Sequence, residues 1–374
     1  MKTTVIERRA ELLRLYTGLP WQSALRRVEA AAPEALLIPQ PDADQLLLEA
    51  RVMAALAWRR ITTVYPWGIE YVDPYSDRLL IRFEADPVER RDSDETQALE
   101  LAGVLLPRAD EFGGITGVPG ARAHVEGGQV VLRMLGTSAS VTLQGLDPDE
   151  WLRAVDIEDR QSRACGMMLC HRDLPTRWHP AERPYRGPRR RGTAASAWLT
   201  SGLLRRVGLI RTLGVPLSVT GWLGYYERGG GERWVIDPTF AEGHGAVGHR
   251  RLMALFAAPG WGLPVTPVEE HCNCHLSPGF SDQCTTAAAG LAGRSAVLEV
   301  RAIQRRGDRL KWIQERCRAT YMAQQQLVLP VPGWVDRWLE RGGCPVSDVP
   351  VGAVTSGAER HQRAPIVMGS VGGA

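Results

Sequence analysis

The hydrophobic pattern of this 374-residue chain changes period in the same way in each half, and that change constrains the fold more than any other feature. A helical stripe over Ala43–Arg60, carrying Leu47, Val52, Ala55 and Leu56, gives way to alternation over Thr62–Val72 and Arg78–Phe83. Those two runs flank the turn-rich Asp73-Pro74-Tyr75-Ser76-Asp77. A period of 3.6 residues buries one helix face, whereas a period of two buries one sheet face. Ser93 then caps a helical stretch over Glu95–Leu106. Period two returns over Ala121–Val125 and Gln129–Leu135, a hairpin about Glu126-Gly127-Gly128, and again over Ser138–Gln144. An acidic helix follows at 148–159.

The second half repeats the order. Ala194–Leu213 reads as a helix, Leu217–Tyr226 and Glu232–Ile236 as strands about Gly229-Gly230-Gly231, and Ala246–Ala257 as a helix. Val265–His271 and Ser295–Gln304 read as strands. The chain is therefore expected to be α+β, with two comparable helix-strand-strand-helix-strand-strand modules. A duplication and two unrelated α+β domains both fit this pattern.

Punctuation suggests the boundaries. Residues 1–42 read as an N-terminal helical hairpin broken at Thr17-Gly18-Leu19-Pro20, since glycine suits the residue past a helix end and proline the first helical position. Residues 43–160 form an acidic α+β domain and 194–344 a basic one. Between them, 175–193 is a linker whose prolines and arginines should leave it extended and solvated. Residues 345–374 are rich in glycine, valine and serine and read as a flexible tail.

The segment Thr17-Gly18-Leu19-Pro20-Trp21-Gln22-Ser23-Ala24-Leu25-Arg26 resembles the opening of uncharacterised actinobacterial proteins from plasmid and phage contexts. The resemblance covers about ten residues. It implies a source and a mobile-element setting, and it brings no catalytic residue or cofactor.

Charge is divided lengthwise. Residues 1–160 hold 18 Lys and Arg against 26 Asp and Glu, and the remainder holds 27 against 16. The excess is densest over residues 161–211, where 11 arginines face only Asp173 and Glu182. Such a split fits either two halves that attract one another or a basic half that meets a polyanion. Arg183, Arg186, Arg189, Arg190 and Arg191, interleaved with Trp178 and Tyr185, are candidate nucleic-acid contacts, as are Arg305, Arg306 and Arg309.

The other chemical candidate is a Cys/His cluster. His271-Cys272-Asn273-Cys274-His275 is followed by Cys284, and thiolate and imidazole are ligands that zinc prefers. Cys165 and Cys170 could complete a tetrahedral set. The spacing matches no standard zinc template, so reduced thiols packed as small hydrophobes, or a cysteine nucleophile beside histidine, stand as alternatives. No phosphate-binding glycine motif precedes a helix, so a nucleotide cofactor has no signature. The N-terminus lacks the apolar core of a secretory signal, seven cysteines cannot all pair within the chain, and no stretch of ~20 apolar residues occurs. A cytoplasmic protein without a membrane span is expected. The reading favours a non-catalytic binding or adaptor protein, with nucleic acid or a protein as partner. An enzyme or zinc-stabilised protein centred on 271–284 and a protein–protein scaffold are the alternatives.

Overall fold

The computed structural model describes residues 4–57, 63, 65–85, 96–186, 196–213, 218–225, 232–240, 248–272, 283–290, 296–304 and 329–342. It shows an α+β fold. Helices α1 (Val5–Thr17) and α2 (Trp21–Ala30) meet at a sharp corner. Thr4 opens α1 with a capping box: its hydroxyl accepts from the Glu7 N–H at 3.1 Å, and the Glu7 carboxylate accepts from the Thr4 N–H at 2.7 Å. Gly18 closes it at φ 81°, its N–H donating to the Arg14 carbonyl. A Cβ at Gly18 would lie 2.8 Å from the Glu70 carbonyl oxygen, so both its conformation and its surroundings call for glycine. The conspicuous Thr17–Pro20 segment is thus a helix corner packed against the body.

Helix α3 (Ala43–Leu56) starts at Asp42, whose side chain accepts from the Gln45 N–H at 2.8 Å. Strands β1 (Ile69–Pro74) and β2 (Arg78–Phe83) follow, then α4 (Gln97–Leu105), short β3 (Arg108–Ala109) and β4 (Ile115–Thr116). Next come β5 (Ala121–Glu126), β6 (Gln129–Met134), β7 (Ser140–Gln144), α5 (Pro148–Ala164), β8 (Met168–Leu169) and a single turn α6 (Cys170–Asp173). The second half holds α7 (Ala197–Leu204), β9 (Ser218–Tyr225), β10 (Glu232–Phe240), α8 (Gly248–Phe256), β11 (Val265–Cys272), β12 (Gln283–Gly290) and β13 (Ala296–Gln304). Helix α9 (Gly333–Glu340) ends the described chain and docks on α1, where the Trp334 indole donates to Glu11 at 2.5 Å.

The two five-stranded sheets have the same topology. The first runs β1-β2-β7-β6-β5 and the second β9-β10-β13-β12-β11. In each, the first two strands are antiparallel, the second and fifth run parallel, and the last three form an antiparallel meander. One helix precedes the first strand (α3, α7), and another (α4, α8) lies between the second and third. A third, small sheet pairs β4, β3 and β8. The observed module thus has three strands after its second helix. In the second half, β12 is the strand absent from the sequence reading. Its Gln-Cys-Thr-Thr-Ala-Ala-Ala-Gly run has no large apolar residue and so no legible alternation.

A single buried cluster runs through both halves, from Leu12 and Tyr16 through Phe83 and Trp151 to Trp234, Phe256 and Trp338. Helices α3 and α7, at corresponding places in the two modules, pack together. The segment expected as one helix over Ala194–Leu213 breaks after Leu204 into a 3-10 turn, Val207–Leu213. There Gly208 approaches the corner of α1 so closely that an added Cβ would sit 2.4 Å from the Gly18 nitrogen. Trp67, in the turn before β1, is 6% exposed, and the half-buried Trp261 packs against the core with its ring 5.7 Å from that of Tyr16. No helix of the described residues is long and apolar enough to cross a membrane.

Candidate functional site

The arginine-rich segment is held to the first sheet by a buried ion pair. Arg122, on β5, and Glu182 both have fully buried side chains. The Glu182 carboxylate accepts from Arg122 Nη1 and Nη2 at 3.0 and 2.9 Å, from the Gly120 N–H at 2.7 Å and from the His179 N–H at 2.8 Å. Arg122 spends its remaining donors on the carbonyls of Ala121, Leu174 and Arg177, at 2.8–2.9 Å. Burial by itself would raise the Glu182 carboxyl. The bonds from Arg122 and the two backbone N–H groups outweigh it and hold the group below its ordinary range. The Trp178 ring lies over Gly120, where a Cβ would come within 2.1 Å of it.

The sequence reading has 175–193 solvated throughout. Glu182 and Ala181 are buried instead, because the carboxylate has a complete set of donors waiting on β5 and its flanking turn. Around this anchor Arg177, Arg183 and Arg186 remain exposed. Arg189, Arg190 and Arg191 lie outside the described residues, as do Arg305, Arg306 and Arg309 and the tail 345–374.

Much of the basic excess over residues 161–211 is consumed internally. Arg163 bonds Asp159 and Asp173, and Arg172 pairs with Asp156. Arg205 is 1% exposed and grips Glu49, 0% exposed, through Nε and Nη2 at 2.7 and 2.6 Å. Arg205 also donates to the carbonyls of Pro39 and Tyr75, while Gln45 and Ser201 complete the shell around Glu49 at 2.7 and 2.6 Å. This network ties α3 to the end of α7. Arg206 donates to the Trp261 and Gly202 carbonyls, and burial pushes its guanidinium down to about 10.

The cysteines divide into two groups. Cys165 is exposed, whereas Cys170 is buried and its thiol is pushed up to about 12, first by burial and then by the Glu182 charge. Such a thiol stays protonated at neutral pH and is a poor nucleophile. His171 beside it is driven down to about 4 by burial and by the positive charges of Arg122 and His124. Its Nδ1 is buried without a partner. In the other group, His271 and Cys272 end β11 and Cys284 lies in β12, so their backbones are described while their side chains are not; Cys274 and His275 lie outside the described residues. The register sets Cys272 directly opposite Cys284, a juxtaposition that no spacing rule revealed. Among the described residues, no group of three or more His, Cys, Asp and Glu is arranged to hold a metal ion.

The ion pairs are what the sequence missed here. A buried Glu182 carries no local signal beyond being one of two acids in an arginine-rich stretch, and Glu49 shares its helix with Asp44, Gln45 and Arg51, so nothing nearby in sequence marks it as buried. Compared with protein-family models, with curated proteins and with solved structures, the chain matches none of them.

Proposed function

We propose that this chain is a non-catalytic binding protein that engages a polyanion, nucleic acid foremost, through the arginine-rich segment beginning at Arg177. One observation carries the reading: the Arg122–Glu182 pair fixes the start of that segment on a sheet while leaving Arg177, Arg183 and Arg186 exposed. An anchored backbone lowers the ordering cost of binding, and guanidinium groups pair with phosphate oxygens in a bidentate way. The run continues in sequence through Arg189, Arg190 and Arg191. The likeness of Thr17–Arg26 to actinobacterial proteins of plasmid and phage contexts supports a mobile-element setting. The buried ionisable groups around the anchor favour binding over catalysis, because Glu182, Arg122 and Cys170 are committed to structure or held protonated.

Fluorescence anisotropy with labelled duplex and single-stranded DNA, at two salt concentrations, tests the proposal. Each phosphate contact contributes about −0.9 to the slope of log K against log salt for duplex. Replacing Arg183 and Arg186 with alanine should weaken binding and make that slope shallower by about 1–2. Absence of binding at low salt refutes the reading.

A further inference from the structure

The two sheets share one topology, so equivalent corners can be compared. In the first, the hairpin of the third and fourth strands closes at Glu126↔Gln129 through the two-residue turn Gly127-Gly128. The corresponding corner of the second sheet ends at Cys272↔Cys284, with residues 273–283 between them. Eleven residues thus separate the last paired positions here instead of two, and two cysteines in direct register bracket them. Directly opposed residues of an antiparallel pair lie on one face of the sheet, with Cα atoms ~4.5 or ~5.5 Å apart depending on whether the pair is hydrogen-bonded. Both values fall within the ~4.4–6.8 Å window of a disulfide. The pair sits on the outer two strands of the sheet, β11 being an edge strand.

We propose that Cys272 and Cys284 are a site of reversible oxidation, a cross-strand dithiol that closes to a disulfide and covalently links β11 to β12. The oxidant class is a low-molecular-weight disulfide. One cysteine thiolate attacks a sulfur of that disulfide, forming a mixed disulfide and expelling one small thiolate. The second cysteine thiolate then attacks the protein sulfur of the mixed disulfide, forming the Cys272–Cys284 bond and expelling the second small thiolate. The protein loses two electrons and two protons, and the small disulfide is reduced to two thiols. The register makes the second step intramolecular, so it outruns attack by free thiol.

The test uses the full chain, reduced and then incubated with oxidised glutathione, followed by alkylation and peptide mass spectrometry. The expected result is a cross-linked peptide pair joining Cys272 to Cys284, lighter by two hydrogens, that dithiothreitol reopens, with the exposed Cys165 left as free thiol or glutathione adduct. The Cys284→Ser variant, checked for folding by circular dichroism, should stop at a stable glutathione adduct on Cys272. A bridge that uses Cys274 instead, adducts on both Cys272 and Cys284 without a bridge, or thiols that react only after a zinc chelator is added would each overturn the proposal.

Discussion

Removing the Glu182 carboxylate should be the most costly single change in the arginine-rich segment. In Glu182→Ala the Arg122 guanidinium, fully buried, keeps only three carbonyl partners and loses its counter-charge. The Gly120 and His179 N–H groups lose their acceptor at the same time. An uncompensated buried charge costs about 3–5 kcal/mol, a large share of the roughly 5–15 kcal/mol that keeps a domain folded. A surface pair such as Arg163 with Asp159 is worth about 0–1 kcal/mol. Urea denaturation followed by tryptophan fluorescence gives the difference. The double variant Arg122→Met/Glu182→Leu should recover most of the loss, because it removes both buried charges together. Limited trypsin digestion adds a local readout: cleavage after Arg177 and Arg186 should accelerate well before the body unfolds. The pair also leaves a pH signature. The folded Glu182 carboxyl titrates below its unfolded value of 4.5, so its contribution is intact above that pH and is lost as pH falls through the lower folded value. Glu182→Gln should lack that limb. A single-variant cost under about 1 kcal/mol would show that the pair behaves as a solvated one and would refute the reasoning.

Three further outcomes are expected. Arg205→Ala should destabilise by about 3–5 kcal/mol in the same denaturation assay, since it strands Glu49 between α3 and α7, and pairing it with Glu49→Leu should restore part of that. His171, driven down to about 4 from 6.5, favours the folded state only while neutral; stability should decline by at most about 3 kcal/mol as pH falls from 6.5 to 4, and His171→Phe should flatten that limb in a pH series of thermal melts. Gly120→Ala should cost about 2–4 kcal/mol, because φ is 81° there and the new methyl meets the Trp178 ring, and trypsin sensitivity at Arg177 should rise with it.

The parts legible in the sequence are those with local causes. The break at Gly18-Leu19-Pro20, the α3 stripe and the hairpin at Gly127-Gly128 each rest on contacts within a few residues. The expectation of an α+β chain with comparable modules came from the same local periodicities. Strand β12 escaped because threonine, alanine and glycine side chains are too small to mark an inside and an outside. Trp67 stands in a turn, yet it is buried in the core.

Charge is where local reading fails. Counting arginines over residues 161–211 describes a cationic stretch, but Arg205 meets a glutamate 156 positions away and the carboxylate of Glu182 reaches an arginine 60 positions away. Linear order decides which stretches become helix or strand, because hydrogen bonding and side-chain period act between near neighbours. Which charges vanish into the interior, and which two cysteines come to stand opposite one another, depends on sheets assembled from distant strands. That pairing is settled by the burial of apolar faces over the whole chain, a balance no short window contains.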